Sequence, residues 1–415
     1  MMSNRSRGES RHVLPNRVAY ALAAAVIGLG LFASLTPSPL YHTYAQLWQF
    51  SPLTLTLIYA TYAFGVLATL LLAGRVSDQV GRRPVLLVAL GVLMASTVIF
   101  MFAESAAWLF VARGLQGLAT GAALSAASAA LLDLHPRRDP AGAGLANGVA
   151  AATGIGLGTL VSSSLVQLGS APRVLPYVVL LGLFAIAFAG AYWMPEPVET
   201  RSRFRLTWER PSVPPAVRRP FLLASLAVLS SWSIGSLFFS LGPELSAHLF
   251  NTGNVIVSGV GIAALAGSAA LSQLLLGRTA PWIGASLGSI ALAVGMILIV
   301  AAAATDSSTW YLAGSIIGGA GFGVAYLGGL RALVAAIPHE RRAAVMSAFY
   351  LVAYTSVSVP AVLAGLVVSH LGLQVTFETF GSVVVGIALI VAFEAWRTRP
   401  TITRALGVAQ AQAQQ

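Results

Sequence analysis

The sequence predicts an all-α polytopic membrane protein: twelve transmembrane helices in two pseudo-symmetric six-helix bundles. Three observations carry this prediction. The composition is too apolar for a water-soluble surface, twelve apolar runs are each long enough to cross a bilayer, and the two halves superpose at a nearly constant offset. Hydrophobic residues make up 57% of the 415 positions, charged residues only 9%, and the mean hydropathy is +0.81. A soluble domain carries about 25% charged residues. A chain this poor in charge cannot clothe a soluble globule, which excludes a soluble enzyme, a nucleic-acid-binding domain and a disordered protein. Cysteine is absent, and with it any disulfide framework, thiol nucleophile or cysteine metal site. Lysine is absent too; all 24 basic residues are Arg, so a Schiff-base lysine is ruled out.

A bilayer core of about 30 Å needs roughly 20 apolar residues per helix. The expected spans are 18–39, 51–73, 84–101, 107–134, 141–168, 174–194, 220–245, 254–276, 281–304, 309–337, 343–371 and 375–396. The first follows Arg5, Arg7, Arg11 and Arg17 as a signal peptide would, but it is too long for a typical signal core. It reads as a retained helix. Of the 24 arginines, 21 fall in the terminal tails or in the loops after spans 2, 4, 6, 8 and 10. The opposite loops hold Arg173, and Arg113 and Arg331 fall within spans. Positive residues stay on the cytoplasmic side, so both termini are expected there. The Ala-rich, Lys-free composition points to a bacterial cytoplasmic (inner) membrane.

The expected organisation is a cytoplasmic tail 1–17, a bundle 18–194, a linker 195–219, a second bundle 220–396 and a cytoplasmic tail 397–415. The halves match at offsets of 202 or 203: Gly74 with Gly277, Gly81 with Gly284, Trp108 with Trp310, Gly117 with Gly319, Gly121 with Gly323 and Gly169 with Gly372. Pro37 and His42 match Pro243 and His248 at 206. A duplicated bundle with a site between its halves is a transporter architecture. Read by themselves, the paired glycines are also small-residue contacts that bring helices close.

The loop between spans 2 and 3 reads GRVSDQVGRRPVLL, Gly74 to Leu87. It resembles the signature of the major facilitator superfamily, and the twelve spans and halfway linker extend the resemblance over nearly the whole chain. Span 4 reads RGLQGLATGAA from Arg113, similar to a motif of proton-coupled members. The Gly-Pro step of drug–proton antiporters is missing from span 5, whose stretch 147–163 keeps Gly154 and Gly158 and admits a kink there. No sugar-porter pattern follows span 6.

The resemblance implies a secondary active transporter working by alternating access, expected to export small organic molecules or drugs in exchange for protons. Proton-linked uptake of a metabolite and a non-transporting sensor of the same fold stay open. It implies a conformational latch from Gly74, Arg75, Asp78, Gly81, Arg82, Arg83 and Asp133, with Asp78 docking at the N-terminus of span 11 and a chain Asp78–Arg82–Asp133 supporting it. Coupling or cavity candidates are Arg113, Gln116, Gly117, Glu244, Arg331 and Glu378. Arg113 either faces a cavity or snorkels to the outer interface. His42 and His248 sit at equivalent outer helix ends and are further coupling candidates. Substrate-binding candidates are Tyr41, Trp232, Phe238, Phe239, Tyr326, Tyr350 and Tyr354, which also read as packing aromatics. The expected partners are a small-molecule substrate, protons and membrane lipid, with the chain a monomer. No nucleic acid, cofactor, metal site or enzymatic activity is expected, since no HExxH or P-loop occurs.

Overall fold

A computed structural model describes residues 13–73, 76–198, 211–338 and 341–399. Among these the secondary structure is helical throughout, and eleven helices are long and apolar enough to cross a membrane. Ten of them are spans 1 to 10: Asn16–Leu35, Pro52–Ala73, Arg82–Met101, Ala106–Asp133, Pro140–Leu168, Leu175–Tyr192, Arg218–Leu249, Val255–Leu276, Pro281–Thr305 and Ser308–Ala336. The eleventh, Arg342–Arg397, is 56 residues long. A helix of that length would extend about 80 Å, more than twice a bilayer core. It is two passes: Gly372, with φ of 81° and ψ of 174°, breaks the helical path where spans 11 and 12 were expected to meet. Positive φ is what glycine supplies without steric cost.

Two further short helices complete the first half. Tyr41–Trp48 follows span 1, and Val76–Val80 lies in the loop between spans 2 and 3. Side-chain caps start several spans: Asp139 accepts from Ala141 and Gly142 N–H groups at 2.9 and 3.0 Å, and Asn254 accepts from Ile256 N–H at 2.9 Å. Such caps satisfy donors that the helix itself leaves unpaired. Large apolar side chains face outward along the spans, among them Val88, Ile186 and Leu275, each about 70% exposed. So much apolar surface is stable only against lipid. Trp108 and Trp310, at matching starts of spans 4 and 10, are both surface-exposed, as membrane-interface anchors are.

The internal repeat is visible as repeated packing. A Cβ on Gly117 would lie 2.2 Å from the Tyr62 carbonyl oxygen, and one on Gly121 2.8 Å from that of Val66. In the second half, a Cβ on Gly319 would lie 2.2 Å from the Leu265 carbonyl oxygen, and one on Gly323 2.5 Å from that of Ala269. Spans 2 and 4 therefore touch backbone to backbone, and spans 8 and 10 repeat the contact. The same seams carry matched hydrogen bonds: Thr69 Oγ1 donates to Leu118 O at 2.9 Å, and Ser272 Oγ donates to Ala320 O at 3.0 Å. Gly117, expected as a coupling residue, is thus a packing residue. Gly117→Val should lower thermal stability in detergent by about 3 kcal/mol or more, because the clash is with backbone that cannot turn aside. Gly91→Val, where no atom lies within 4 Å of the added Cβ, should be near neutral. A tolerated Gly117→Val would contradict the seam.

Span 5 is one helix from Pro140 to Leu168. Gly154 and Gly158 admit the backbone of span 1: their Cβ atoms would lie 2.1 and 2.6 Å from the carbonyl oxygens of Gly28 and Phe32.

Relative to the arginine-bearing ends, here called inner, the outer ends of the two halves are closed on one another. Ser38 Oγ donates to Phe239 O at 3.5 Å, and Val255 N–H donates to Gln167 Oε1 at 2.8 Å. Gly365 on span 11 lies against Thr56 on span 2, where a Cβ would come within 2.5 Å. Spans 5 and 8 stay in contact toward the inner side, with Gly148 against Gln273 and Gly277 against Leu145.

Candidate functional site

Three groups of polar residues stand out, one at the inner ends of spans 2 to 4, one within the first bundle, and one facing the interface from the second. At the inner ends, Arg82 is buried and its guanidinium joins two carboxylates. Nε donates to Asp133 Oδ2 at 3.0 Å, and Nη1 donates to Ser77 Oγ at 2.8 Å and to Asp78 Oδ1. The expected chain Asp78–Arg82–Asp133 is therefore present as geometry. Charge-assisted bonds of this kind are the strong ones, although Asp78 itself is half exposed. Gly81 adopts φ of 111°, a conformation only glycine takes easily. Arg83 lies over the Tyr192 ring at 5.2 Å. Gly74 and Arg75 lie outside the described residues.

Sequence reasoning missed Glu196. From the end of span 6 its carboxylate accepts from the backbone N–H groups of Arg82 at 2.9 Å and Arg83 at 3.1 Å, capping span 3. A Cβ on Gly81 would meet Glu196 Oε2 at 2.3 Å, so the glycine also makes room for the cap. The available signal was an acid between Pro195 and Pro197 on the arginine-rich face. Glu196→Ala should cost about 1–2 kcal/mol, as the loss of an N-cap does. Gly81→Ala should cost more, since it adds a clash to a strained φ. Thermal melting in detergent checks both, and equal melting of wild type and Gly81→Ala would contradict this arrangement.

Within the first bundle, Arg113 is fully buried. Nε donates to Tyr41 Oη at 2.7 Å, Nη1 donates to Ser34 O at 2.9 Å and to Gln116 Oε1 at 2.6 Å, and Nη2 also donates to Tyr41 Oη. Its guanidinium lies 5.5 Å from the Tyr41 and Tyr62 rings and 5.9 Å from Phe100. Gln116 is tied in turn to Ala33 O at 3.0 Å. Arg113 thus does not snorkel to the interface. Tyr41, expected to bind substrate, is here its hydrogen-bond partner, carried on the short outer helix Tyr41–Trp48. Tyr44 on the same helix shares a 3.3 Å hydrogen bond with Tyr177 and stacks on Trp48. Burial pushes the Tyr44 hydroxyl up to about 12 and raises that of Tyr41 despite the nearby Arg113, so both stay protonated at neutral pH.

Across the interface, Trp232 of span 7, Tyr326 of span 10 and Tyr354 of span 11 come together. Trp232 lies 5.5 Å from Tyr326 and meets Tyr354 edge-on at 5.3 Å. Phe349 and Tyr350 extend the set. Tyr59 and Tyr62, three apart on one helical face, were not singled out from the sequence. Their spacing was the available signal.

The other candidates sit elsewhere. Phe238 is fully buried and stacks on Tyr311 at 5.8 Å, in the core of the second bundle. Phe239 is buried beside it, at the outer closure. Both are packing residues, because the closure of the outer ends buries that part of span 7. Arg331, expected on a substrate path, donates to Gly277 O at 2.6 Å and Thr279 O at 3.0 Å. It satisfies carbonyls at the end of span 8, a usual task for a basic side chain there. Glu244 is exposed, and Glu378 accepts from Gln374 at 2.8 Å on the protein surface. Neither reaches the interior. His248, in the last turn of span 7, meets Asp306 at the end of span 9 at 3.2 Å, and the side chain of His42 lies outside the described ones.

Residues 19–328 match the sequence profile of the Major Facilitator Superfamily. The human vesicular acetylcholine transporter is 45% identical over 65 residues, 16% of this chain and 12% of that protein. The multidrug resistance protein MdtL of Escherichia coli O45:K1 is 34% identical over 96 residues, 23% of this chain and 25% of its own. The chain thus aligns with a quarter or less of these relatives' length. The crystal structure of the human organic anion transporter MFSD10 (TETRAN) superposes with a TM-score of 0.66 at 17% identity, covering 92% of this chain and all of the other. At that identity the likeness concerns the fold. With the duplicated seams, the Asp78–Arg82–Asp133 network and a family match over most of its length, the chain belongs to the Major Facilitator Superfamily.

Proposed function

We propose that this protein is a secondary active transporter that works by alternating access and exports small organic molecules in exchange for protons. The observation that carries the reading is the aromatic set of Trp232, Tyr326 and Tyr354, which gathers spans 7, 10 and 11 of the second half. A site between two bundles is opened to one side or the other as the bundles rock. Aromatic walls suit an amphipathic organic molecule. The names of the partial relatives, a vesicular acetylcholine transporter and a multidrug resistance protein, favour export of organic compounds. In this proposal the chain acts as a monomer in a bacterial inner membrane with both termini in the cytoplasm, as the arginine distribution favours.

Inside-out vesicles carrying the purified chain test the reading. With a proton gradient imposed, they should accumulate organic substrates, and an uncoupler should abolish the accumulation. Accumulation that ignores the uncoupler would remove proton coupling. Absence of flux across a broad panel of compounds would remove transport.

A further inference from the structure

Buried cations need a countercharge or dense hydrogen bonding, because a desolvated charge is costly. Arg82 meets Asp78 and Asp133, and Arg331 is only partly buried and donates to two backbone carbonyls. Arg113 is more deeply buried than either, yet all its hydrogen-bond acceptors are neutral: one tyrosine hydroxyl, one backbone carbonyl and one amide oxygen. Among the described residues no carboxylate pairs with it. Three aromatic faces surround the guanidinium, and their quadrupoles offset only part of its charge.

The hydrogen-bond arrangement is informative. A guanidinium has five N–H groups. Both on Nη1 are used, by Ser34 O and Gln116 Oε1, while the single Tyr41 hydroxyl oxygen takes the N–H of Nε and one of Nη2. The second N–H of Nη2 has no acceptor among the described residues. One oxygen therefore sits in the fork between Nε and Nη2, the edge of the guanidinium that a carboxylate binds with two oxygens. Tyr41 belongs to the short outer helix and not to a membrane span, so the resident oxygen is supplied from outside the four spans that surround Arg113.

We propose that Arg113 is the counter-ion for the anionic group of an organic substrate, a carboxylate or sulfonate on an aromatic body, and that the Tyr41 hydroxyl holds the place of that group until it binds. The assignment rests on the transport reading above and narrows its substrate class. The anion displaces Tyr41 Oη from the fork and takes up the unused Nη2 N–H. Tyr59 and Tyr62, the tyrosines between Arg113 and the second bundle, line the approach of the aromatic body.

The full chain in lipid nanodiscs, titrated calorimetrically with 1-naphthoate, 1-naphthamide and 1-naphthylmethylamine, tests this. Naphthoate should bind about 10- to 100-fold more tightly than the amide, as expected for charge-assisted hydrogen bonds against neutral ones. Arg113→Gln should erase that ratio, and Arg113→Lys should keep only part of it. Tyr41→Phe should tighten naphthoate binding several-fold, because the resident acceptor is gone. A purely structural role for Tyr41 would not produce a gain, so this variant decides the matter if Arg113→Gln fails to fold. Naphthamide or the amine binding as well as naphthoate, none of the three binding, or the ratio surviving in Arg113→Gln would each overturn the inference. Competition by millimolar sodium chloride, with no preference for the arene, would make a halide the occupant and also overturn it. Proteoliposome flux separates the two readings: energised flux of the amine alone would keep transport and sink the anion, whereas naphthoate binding without flux of any probe would do the reverse.

Discussion

Arg113→Ala reduces transport to about 1% of wild type or less, the equivalent of some 3 kcal/mol, while the protein still reaches the membrane. The size follows from the contacts. The substitution removes four hydrogen bonds donated by the guanidinium and leaves the Tyr41 hydroxyl and the Gln116 amide oxygen without a donor inside the first bundle. Charged hydrogen bonds contribute roughly 1.5–3 kcal/mol each, and unsatisfied buried partners add to the loss. Folding suffers less than transport, because deleting a desolvated cation also removes its desolvation penalty. Arg113→Lys recovers little: an ammonium is a point charge and does not reproduce a planar fork that holds Ser34 O, Gln116 and Tyr41 together. Flux in proteoliposomes, normalised to protein that elutes as a single species, is the measurement. Unchanged flux in Arg113→Ala would make the arginine a packing residue with no part in transport.

Asp78→Asn leaves the fold intact, lowers transport by about one to two orders of magnitude and moves the resting population toward the state closed on the outer side. The structure is itself closed there, and in it Asp78 pairs with Arg82 and is half exposed. In the proposed latch, Asp78 docks at the N-terminus of span 11 when the inner ends of the halves meet, where a helix dipole favours a carboxylate. A latch of about 1–3 kcal/mol shifts a two-state ratio by roughly 5- to 150-fold. The amide keeps the shape and loses the charge. Pro281→Ala, at the matching loop of the second half where no acid or paired arginine occurs, should change the ratio far less. Loss of transport without a population shift in Asp78→Asn would remove the latch.

The fold was legible because membrane solvation leaves few choices: a run of about 20 apolar residues must become a helix. Paired glycines marked the seams, and Gly117 with Gly319 pointed to the same contact in both halves. The break at Gly372 was legible as an expected boundary. The candidate site was legible where a motif fixed it, as with Asp78, Arg82 and Asp133. It was not legible where depth and rotation around a helix decide the role. Phe238 and Trp232 lie six residues apart on span 7, yet one packs into the bundle core and the other faces Tyr326 and Tyr354. Arg331 looked like a pathway residue because a charge inside a span is costly, but the carbonyls it caps lie only at the end of a neighbouring helix. Glu196 was passed over because its partners are backbone N–H groups, which leave no mark in a sequence.

The central claim is that two six-helix halves rock about the site between Arg113 and the Trp232 cluster. The chain has no cysteine, so spin labels can be placed at introduced cysteines alone. One pair, Phe102→Cys with Leu371→Cys, reports the outer ends of the two halves, and another, Val88→Cys with Leu287→Cys, reports the inner ends; all four positions are exposed. Distances by double electron–electron resonance, with and without a transported substrate across a pH series, should change in opposite directions for the two pairs, the outer lengthening as the inner shortens. Both distances fixed under every condition, or both moving the same way, would contradict the account.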